Sequence, residues 1–242
     1  MSRRWWAVWL ALVLVLGAGI VGCLFLPYQQ YALTVLLATL LSFLPVAAHF
    51  ERGRAQSREL MVLAALVALS SIGRIIIVVP GFKPVAAMAI LTGIFLGKEA
   101  GFLVGSLSAV VSNMVMGQGP WTPFQMFSWG AIGLLAGLLA RPLRRFPPLL
   151  WVFGFLSGFL FSALVDVWTT LWMAGTFSWS VYVATQVSAF PFSVEYAVSN
   201  VVFLLLLTPP MRWILQRLCV KYGLFPDMQA GLEKPAGRKI KK

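Results

Sequence analysis

Residues 101–123 read GFLVGSLSAVVSNMVMGQGPWTP, and this stretch decides the fold class. Gly101, Gly105 and Ala109 recur every four residues, which puts small residues on one face of a helix. Membrane helices bring their backbones together in this way. Asn113 follows at the same spacing, a polar residue in an otherwise apolar run. Gly117-Gln118-Gly119-Pro120-Trp121-Thr122-Pro123 then holds too much Gly and Pro to prolong the helix. The stretch is a packed membrane helix that ends in a rigid, amide-bearing turn.

The whole chain agrees with that reading. Of its 242 residues, 60% are hydrophobic and only 11% charged, whereas a soluble domain carries about 25% charged residues. At about 20 residues per crossing, the length is taken up by membrane spans, with none left for a soluble catalytic or nucleotide-binding domain. No GxxxxGK[ST] phosphate loop occurs, so ATP-driven work requires a partner. The 19 Lys+Arg against 7 Asp+Glu give a net charge of +12, but the cations lie between and beyond apolar runs, as the positive-inside rule requires. Cys23 and Cys219 form no metal spacing or disulfide framework, and His49 is the single histidine.

Eight apolar runs follow: Trp5–Leu26, Tyr31–Ala48, Glu59–Val79, Val85–Gly97, Ala100–Met116, Phe124–Ala140, Leu149–Ala174 and Val194–Leu218. Three of them (Val85–Gly97, Ala100–Met116 and Phe124–Ala140) are short for a 30 Å hydrocarbon core, so tilting, bending or burial inside the bundle is expected. With both termini inside, the inner segments hold 17 of the 19 Lys+Arg, and Lys83 is the only cation in the outer loops. An all-α, eight-span, N-in/C-in protein of a bacterial-type cytoplasmic membrane is expected. Residues 1–50 read as a two-helix extension, 51–58 as a charged cytoplasmic loop, 59–218 as a six-helix substrate-binding domain and 219–242 as a basic cytoplasmic tail. Arg3-Arg4 with Ile20-Val21-Gly22-Cys23 fits a lipoprotein leader, yet the apolar run continues to Leu26, which favours a retained helix.

Polar residues inside spans mark function or pairing. Gly154, Gly158 and Ser162 form a second stripe that continues to Asp166 and Thr170, and Gly133 and Gly137 form a third. Arg74 lies near the outer end of its span and Glu195 opens the last one. Two readings stay open for Arg74: a salt bridge to Glu195 or Asp166, or ligand contact. The outer segments add Lys83 in Pro80-Gly81-Phe82-Lys83-Pro84, the Gly117–Gln125 turn with Trp129 beyond it, and a long loop at Gly175–Ser193 suited to an amphipathic cap. Apolar walls with a few convergent polar groups characterise small-molecule sites. HExxH and GxSxG are absent, and Asp166 and Glu195 lack a partner nucleophile, so the chain reads as a binding protein and not an enzyme, with no catalytic residue and no metal site.

Residues 59–218 resemble the substrate-binding (S) subunits of energy-coupling factor (ECF) vitamin transporters. The resemblance rests on Gly73-Arg74, Pro80–Pro84, Gly101–Gly105, Ser112-Asn113 and Gly117-Gln118-Gly119-Pro120-Trp121-Thr122-Pro123-Phe124-Gln125-Met126-Phe127. The last of these is similar to the subgroup assigned to cobalamin uptake. The resemblance implies a six-helix S-component bundle that holds a vitamin under its outer loops. It also implies a transmembrane coupling (T) subunit and two cytoplasmic ATPases as partners, which use the ATP; this chain binds no cofactor of its own. The substrate-binding set then comprises Arg74, Lys83, Asn113, Gln118, Gly119, Pro120, Trp121, Thr122, Gln125, Trp129, Asp166 and Glu195. In the family, an Ala-xxx-Ala pattern on the first core helix docks the T subunit, and Ala64 and Ala68 match it. At 100° per residue, Arg74 points about 80° from Ala64 and 120° from Ala68, so one helix presents separate docking and ligand faces; ordinary packing by the two alanines is the alternative.

Other readings are a stand-alone secondary transporter, an intramembrane enzyme relying on Asp166 or Glu195, and a scaffold. The halves of the chain show no inverted repeat of interrupted helices, which weighs against the first. Among vitamins, a corrinoid is favoured, with a flavin such as riboflavin or a queuosine precursor as alternatives.

Overall fold

The computed structural model describes residues 57–222, so the two N-terminal spans, most of the 51–58 loop and the tail beyond residue 222 lie outside the described residues. Seven helices make up this region: α1 Ser57–Ile76, α2 Val85–Leu96, α3 Lys98–Met116, α4 Thr122–Leu138, α5 Ala140–Arg145, α6 Pro147–Ala174 and α7 Trp179–Tyr222. No strand occurs among them. Helices α1, α3, α6 and α7 are each long and apolar enough to cross a membrane. In lipid each backbone group must find its partner within the protein, so helix ends coincide with breaks in the apolar pattern.

Helix α2 is the core element. At 12 residues it is about 18 Å long, too short to span, and 11 of the 12 residues are buried. A helix apolar on every face is stable only when surrounded, and α3, α4 and α7 pack around it. The small residues of the sequence stripes sit at helix crossings. A Cβ on Gly101 would lie 2.6 Å from the Gly93 Cα, and one on Gly133 would run into the Gly101 carbonyl oxygen. Gly93, Gly101 and Gly133 thus bring α2, α3 and α4 into backbone contact. Gly158 does the same for α6 against Ala197 of α7.

Two departures from the sequence reading stand out. The segment 175–193 is not a long loop: only residues 175–178 connect α6 to α7, and α7 begins at Trp179 and runs for 44 residues, about 66 Å. Gly175 reverses the chain at φ 74°, a left-handed conformation that glycine adopts freely, and the aromatic and polar residues beyond it continue the helix alongside α6. The basic linker between α4 and α6 holds the short helix α5, anchored by buried Leu143. The end of the bundle bearing the 77–84, 117–121 and 175–178 connections is termed the loop end, and the end bearing α5 the basic end.

Candidate functional site

At the loop end of α1, Arg74 is buried on the face turned toward α3. Its Nη1 donates to Ser112 Oγ at 2.5 Å and to Asn113 Oδ1 at 2.7 Å, and its guanidinium lies 4.8 Å above the Trp129 ring. Asn113, 1% exposed, passes the connection on by donating from Nδ2 to Thr122 Oγ1 and Gln125 Oε1, both at 2.9 Å. Thr122 Oγ1 donates to Gln118 Oε1 at 3.0 Å and accepts from the Gly119 amide at 3.3 Å. Gln118 Nε2 reaches back to the Val110 carbonyl at 2.9 Å, on the last turns of α3.

The side chains of five of the site residues expected from sequence, Arg74, Asn113, Gln118, Thr122 and Gln125, therefore form one network, which the Gly119 amide joins. Its polar groups hold α1, α3, α4 and the turn between α3 and α4 in register. Gly119 permits the tight return, because a side chain there would collide with the Trp121 indole. Trp121 itself packs edge-on against Trp168, with centroids 5.6 Å apart, while Pro120 is exposed at the turn.

No ion pair joins Arg74 to Asp166 or to Glu195 among the described residues, so the salt-bridge reading of these three is not what the structure contains. Asp166 belongs to a separate cluster between α6 and α7. It accepts from Gln186 Nε2 at 3.1 Å, Thr169 Oγ1 at 3.4 Å and Ser162 Oγ at 3.5 Å. Ser193 Oγ in turn donates to Ser162 Oγ at 2.8 Å. Glu195 packs against the 80–84 turn, where a Cβ on Gly81 would lie 2.7 Å from its Oε2.

A cleft opens beside the Arg74 network. Lys83, Val85, Ala86, Trp129, Phe161, Tyr196 and Asn200 line it, packed so closely that no space for a water molecule remains between them. Trp129 is 3% exposed and is held on both sides, by Arg74 and by the stacked ring of Phe161 at 4.8 Å. Phe161 also meets Tyr196 edge-on at 4.9 Å. Lys83 Nζ donates to the Ile77 carbonyl and its own carbonyl accepts from Ser199 Oγ at 3.1 Å. Burial, and secondly repulsion from Arg74, pushes the Lys83 ammonium below its ordinary pKa, while Glu195 pulls it upward. Asn200 donates to the Gly154 carbonyl at 3.2 Å and to Ser157 Oγ at 3.0 Å.

Of the expected site residues, Lys83 and Trp129 line this cleft. Phe161, Tyr196 and Asn200 line it as well and were not singled out from the sequence. One signal was available: Ser199-Asn200 repeats, inside an apolar run, the Ser112-Asn113 pair. Nothing comparable marks Phe161 or Tyr196 among 18 Phe and 5 Tyr.

Arg74→Met should cost only about 1–2 kcal/mol of stability. Ser112 keeps the Ser108 carbonyl as acceptor at 2.5 Å and Asn113 keeps both of its Nδ2 partners, so only Asn113 Oδ1 loses its donor. Thermal unfolding in detergent measures this, and a loss above about 4 kcal/mol would contradict the network as described.

Arg74, Trp129 and the 117–125 turn lie together at the loop end of an apolar helical bundle, and Trp129 is shared with the aromatic cleft. No curated protein and no solved structure matches the chain. Residues 54–217 match the model of a family described as ECF-type riboflavin transporter, S component. That description names riboflavin where the resemblance of the 117–127 motif favoured a corrinoid. With two thirds of its length matched, the chain belongs to the ECF-type riboflavin transporter S component family.

Proposed function

We propose that this chain is the substrate-specific subunit of an ECF importer, that it binds riboflavin at the loop end, facing outward, and that it delivers the vitamin to a T subunit and two ATPases. The observation that carries the substrate is the cleft: three aromatic rings, Trp129, Phe161 and Tyr196, with Lys83 and Asn200 at its edge. Rings offer stacking surface for a flat isoalloxazine; the Lys83 ammonium supplies a donor for its carbonyl oxygens, and Asn200, whose Nδ2 is taken by Gly154 and Ser157, offers its Oδ1 as an acceptor. The cleft is closed even to a water molecule in this structure, whereas small-molecule pockets measure roughly 300–1,000 Å³, so binding requires Phe161 and Tyr196 to part, with the 80–84 and 117–121 turns closing above. A corrinoid, several times larger, demands far more rearrangement of the same walls.

Titration with riboflavin, read by flavin fluorescence quenching in detergent, tests this directly. Saturable one-to-one binding is expected, with Tyr196→Ala weakening it about tenfold. Asp166→Asn should leave affinity within about twofold, because Asp166 is not among the residues that line the cleft. Absence of riboflavin binding together with saturable cobalamin binding would replace the vitamin and keep the subunit role.

Docking to the T subunit is assigned to α1. Ala64 and Ala68 are both exposed, within an apolar face that includes Leu60, Met61, Leu69 and Ile72, while Arg74 is buried on a separate face. This supports docking over packing within the bundle. Ala64→Trp with Ala68→Trp should abolish uptake in cells at unchanged riboflavin affinity; normal uptake by that variant would refute the docking surface.

A further inference from the structure

Helix α5 carries Arg141, Arg144 and Arg145, all exposed, with Leu143 between them buried and fixing the helix to the bundle. No carboxylate among the described residues lies within 4 Å of any of the three. Arg144 Nε donates to the Ala140 carbonyl at 3.3 Å, which leaves its terminal nitrogens as donors toward the outside. The Arg145 guanidinium lies 5.6 Å from the centroid of the exposed Phe146 ring. Like charges held this close oppose one another: burial and then repulsion from Arg141 lower the Arg144 pKa. On α7, Arg217 likewise lies over Trp213 and Lys221 over Tyr222.

The surface that continues from these arginines is apolar. Along the first turns of α6, Leu149, Trp151, Val152, Phe155 and Leu156 are all exposed. At 100° per residue they cover one continuous half of the helix. A fixed group of cations at the rim of an exposed apolar strip, at the end of a membrane bundle, matches one chemistry: an anionic head group attached to acyl chains. Arginine suits it, since its planar fork binds phosphate oxygens in pairs, and basic pockets beside membrane helices take up anionic lipid head groups. An acidic protein surface would match the arginines but not the hydrocarbon strip beside them.

We propose that α5 and the first turns of α6 form a binding site for an anionic phospholipid, its phosphate held by Arg141, Arg144 and Arg145 and its acyl chains lying along Leu149, Val152 and Leu156. The site is independent of the vitamin and of the cleft at the other end of the bundle. The cations are then not only a topological signal but one side of a specific contact.

The test is native mass spectrometry of the full chain released from mixed micelles of phosphatidylglycerol and phosphatidylcholine. Wild type should retain phosphatidylglycerol over phosphatidylcholine by at least about tenfold, given roughly fivefold per basic residue near a charged surface. R141Q/R144Q/R145Q should lose that preference, and R212Q/R217Q/K221Q should keep it. R141K/R144K/R145K preserves charge and membrane orientation, carries the test if the glutamine variant fails to insert, and should fall between the two. An unchanged preference in the glutamine variant, or in the lysine variant where only that one inserts, would overturn the proposal. Equal retention of both lipids by wild type would overturn it too. Displacement of the lipid by excess inorganic phosphate would reduce the site to an anion site. Loss of assembly with the T subunit and ATPases in the glutamine variant, with no lipid preference in wild type, would assign the arginines to a protein partner instead.

Discussion

Trp129→Ala should abolish riboflavin binding and destabilise the protein by about 3–5 kcal/mol, the range for deleting a large buried aromatic. The ring is nearly inaccessible and fills the space between the Arg74 guanidinium and the Phe161 ring, each at 4.8 Å. Its removal opens a cavity at the junction of α1, α4 and α6 and deprives Arg74 of the aromatic face over which it rests. A cation at membrane depth with one contact fewer is costly. The same ring is a wall of the cleft, so binding and stability fall together. Trp129→Phe separates the two effects, since it keeps a ring against Phe161 while shortening the wall. It should recover most of the stability and only part of the affinity. Full riboflavin affinity in a folded Trp129→Ala protein would move the vitamin away from this cleft.

Gly133→Val should prevent the native approach of α3 to α4 and cost at least about 3 kcal/mol, at the upper end of overpacking effects. Replacing a helical glycine ordinarily gains up to about 1 kcal/mol of helix propensity. Here the first added carbon already runs into the carbonyl oxygen of Gly101 and lies 3.0 Å from the Gly101 Cα. Backbone cannot rotate aside as the tip of a flexible side chain does, so the clash outweighs the gain in propensity. The damage spreads to α2, because Gly93 meets the same carbonyl region of Gly133. Leu138→Val, on the exposed face of the same helix, should stay within about 0.5 kcal/mol. Thermal stability followed by size-exclusion chromatography compares the two, and equal melting would show that the glycine crossing tolerates separation.

The apolar runs between residues 59 and 218 match the helices to within two or three residues at most boundaries. Desolvation explains this: inside lipid the chain has no alternative to the helix for its backbone groups, so Pro, Gly and charge mark the ends. The exception is α7. Trp179, Ser180, Tyr182, Thr185 and Gln186 look like an exposed connection because they are polar or interfacial. Pro191 also reads as a break, since it lacks a backbone donor, yet the helix passes through it. Packing against α6 overrides that local preference, with Tyr182 donating to the Ala163 carbonyl at 3.1 Å and Gln186 to Asp166.

Composition and spacing were sufficient to establish an all-helical membrane protein and the faces on which its small residues lie, and they drew attention to Arg74, Asn113 and the Gly117–Gln125 turn. All of these depend on periodicity or on runs within one helix or turn, which a linear pattern records. The partners across helices are different. That Arg74 meets Ser112, Asn113 and Trp129 and neither carboxylate, that Asp166 turns to Gln186, and that Phe161, Tyr196 and Asn200 share a cleft with Lys83 all depend on the rotation and offset of packed helices. Those are set by the sum of many close contacts at glycine crossings between residues tens of positions apart, and no local pattern encodes them.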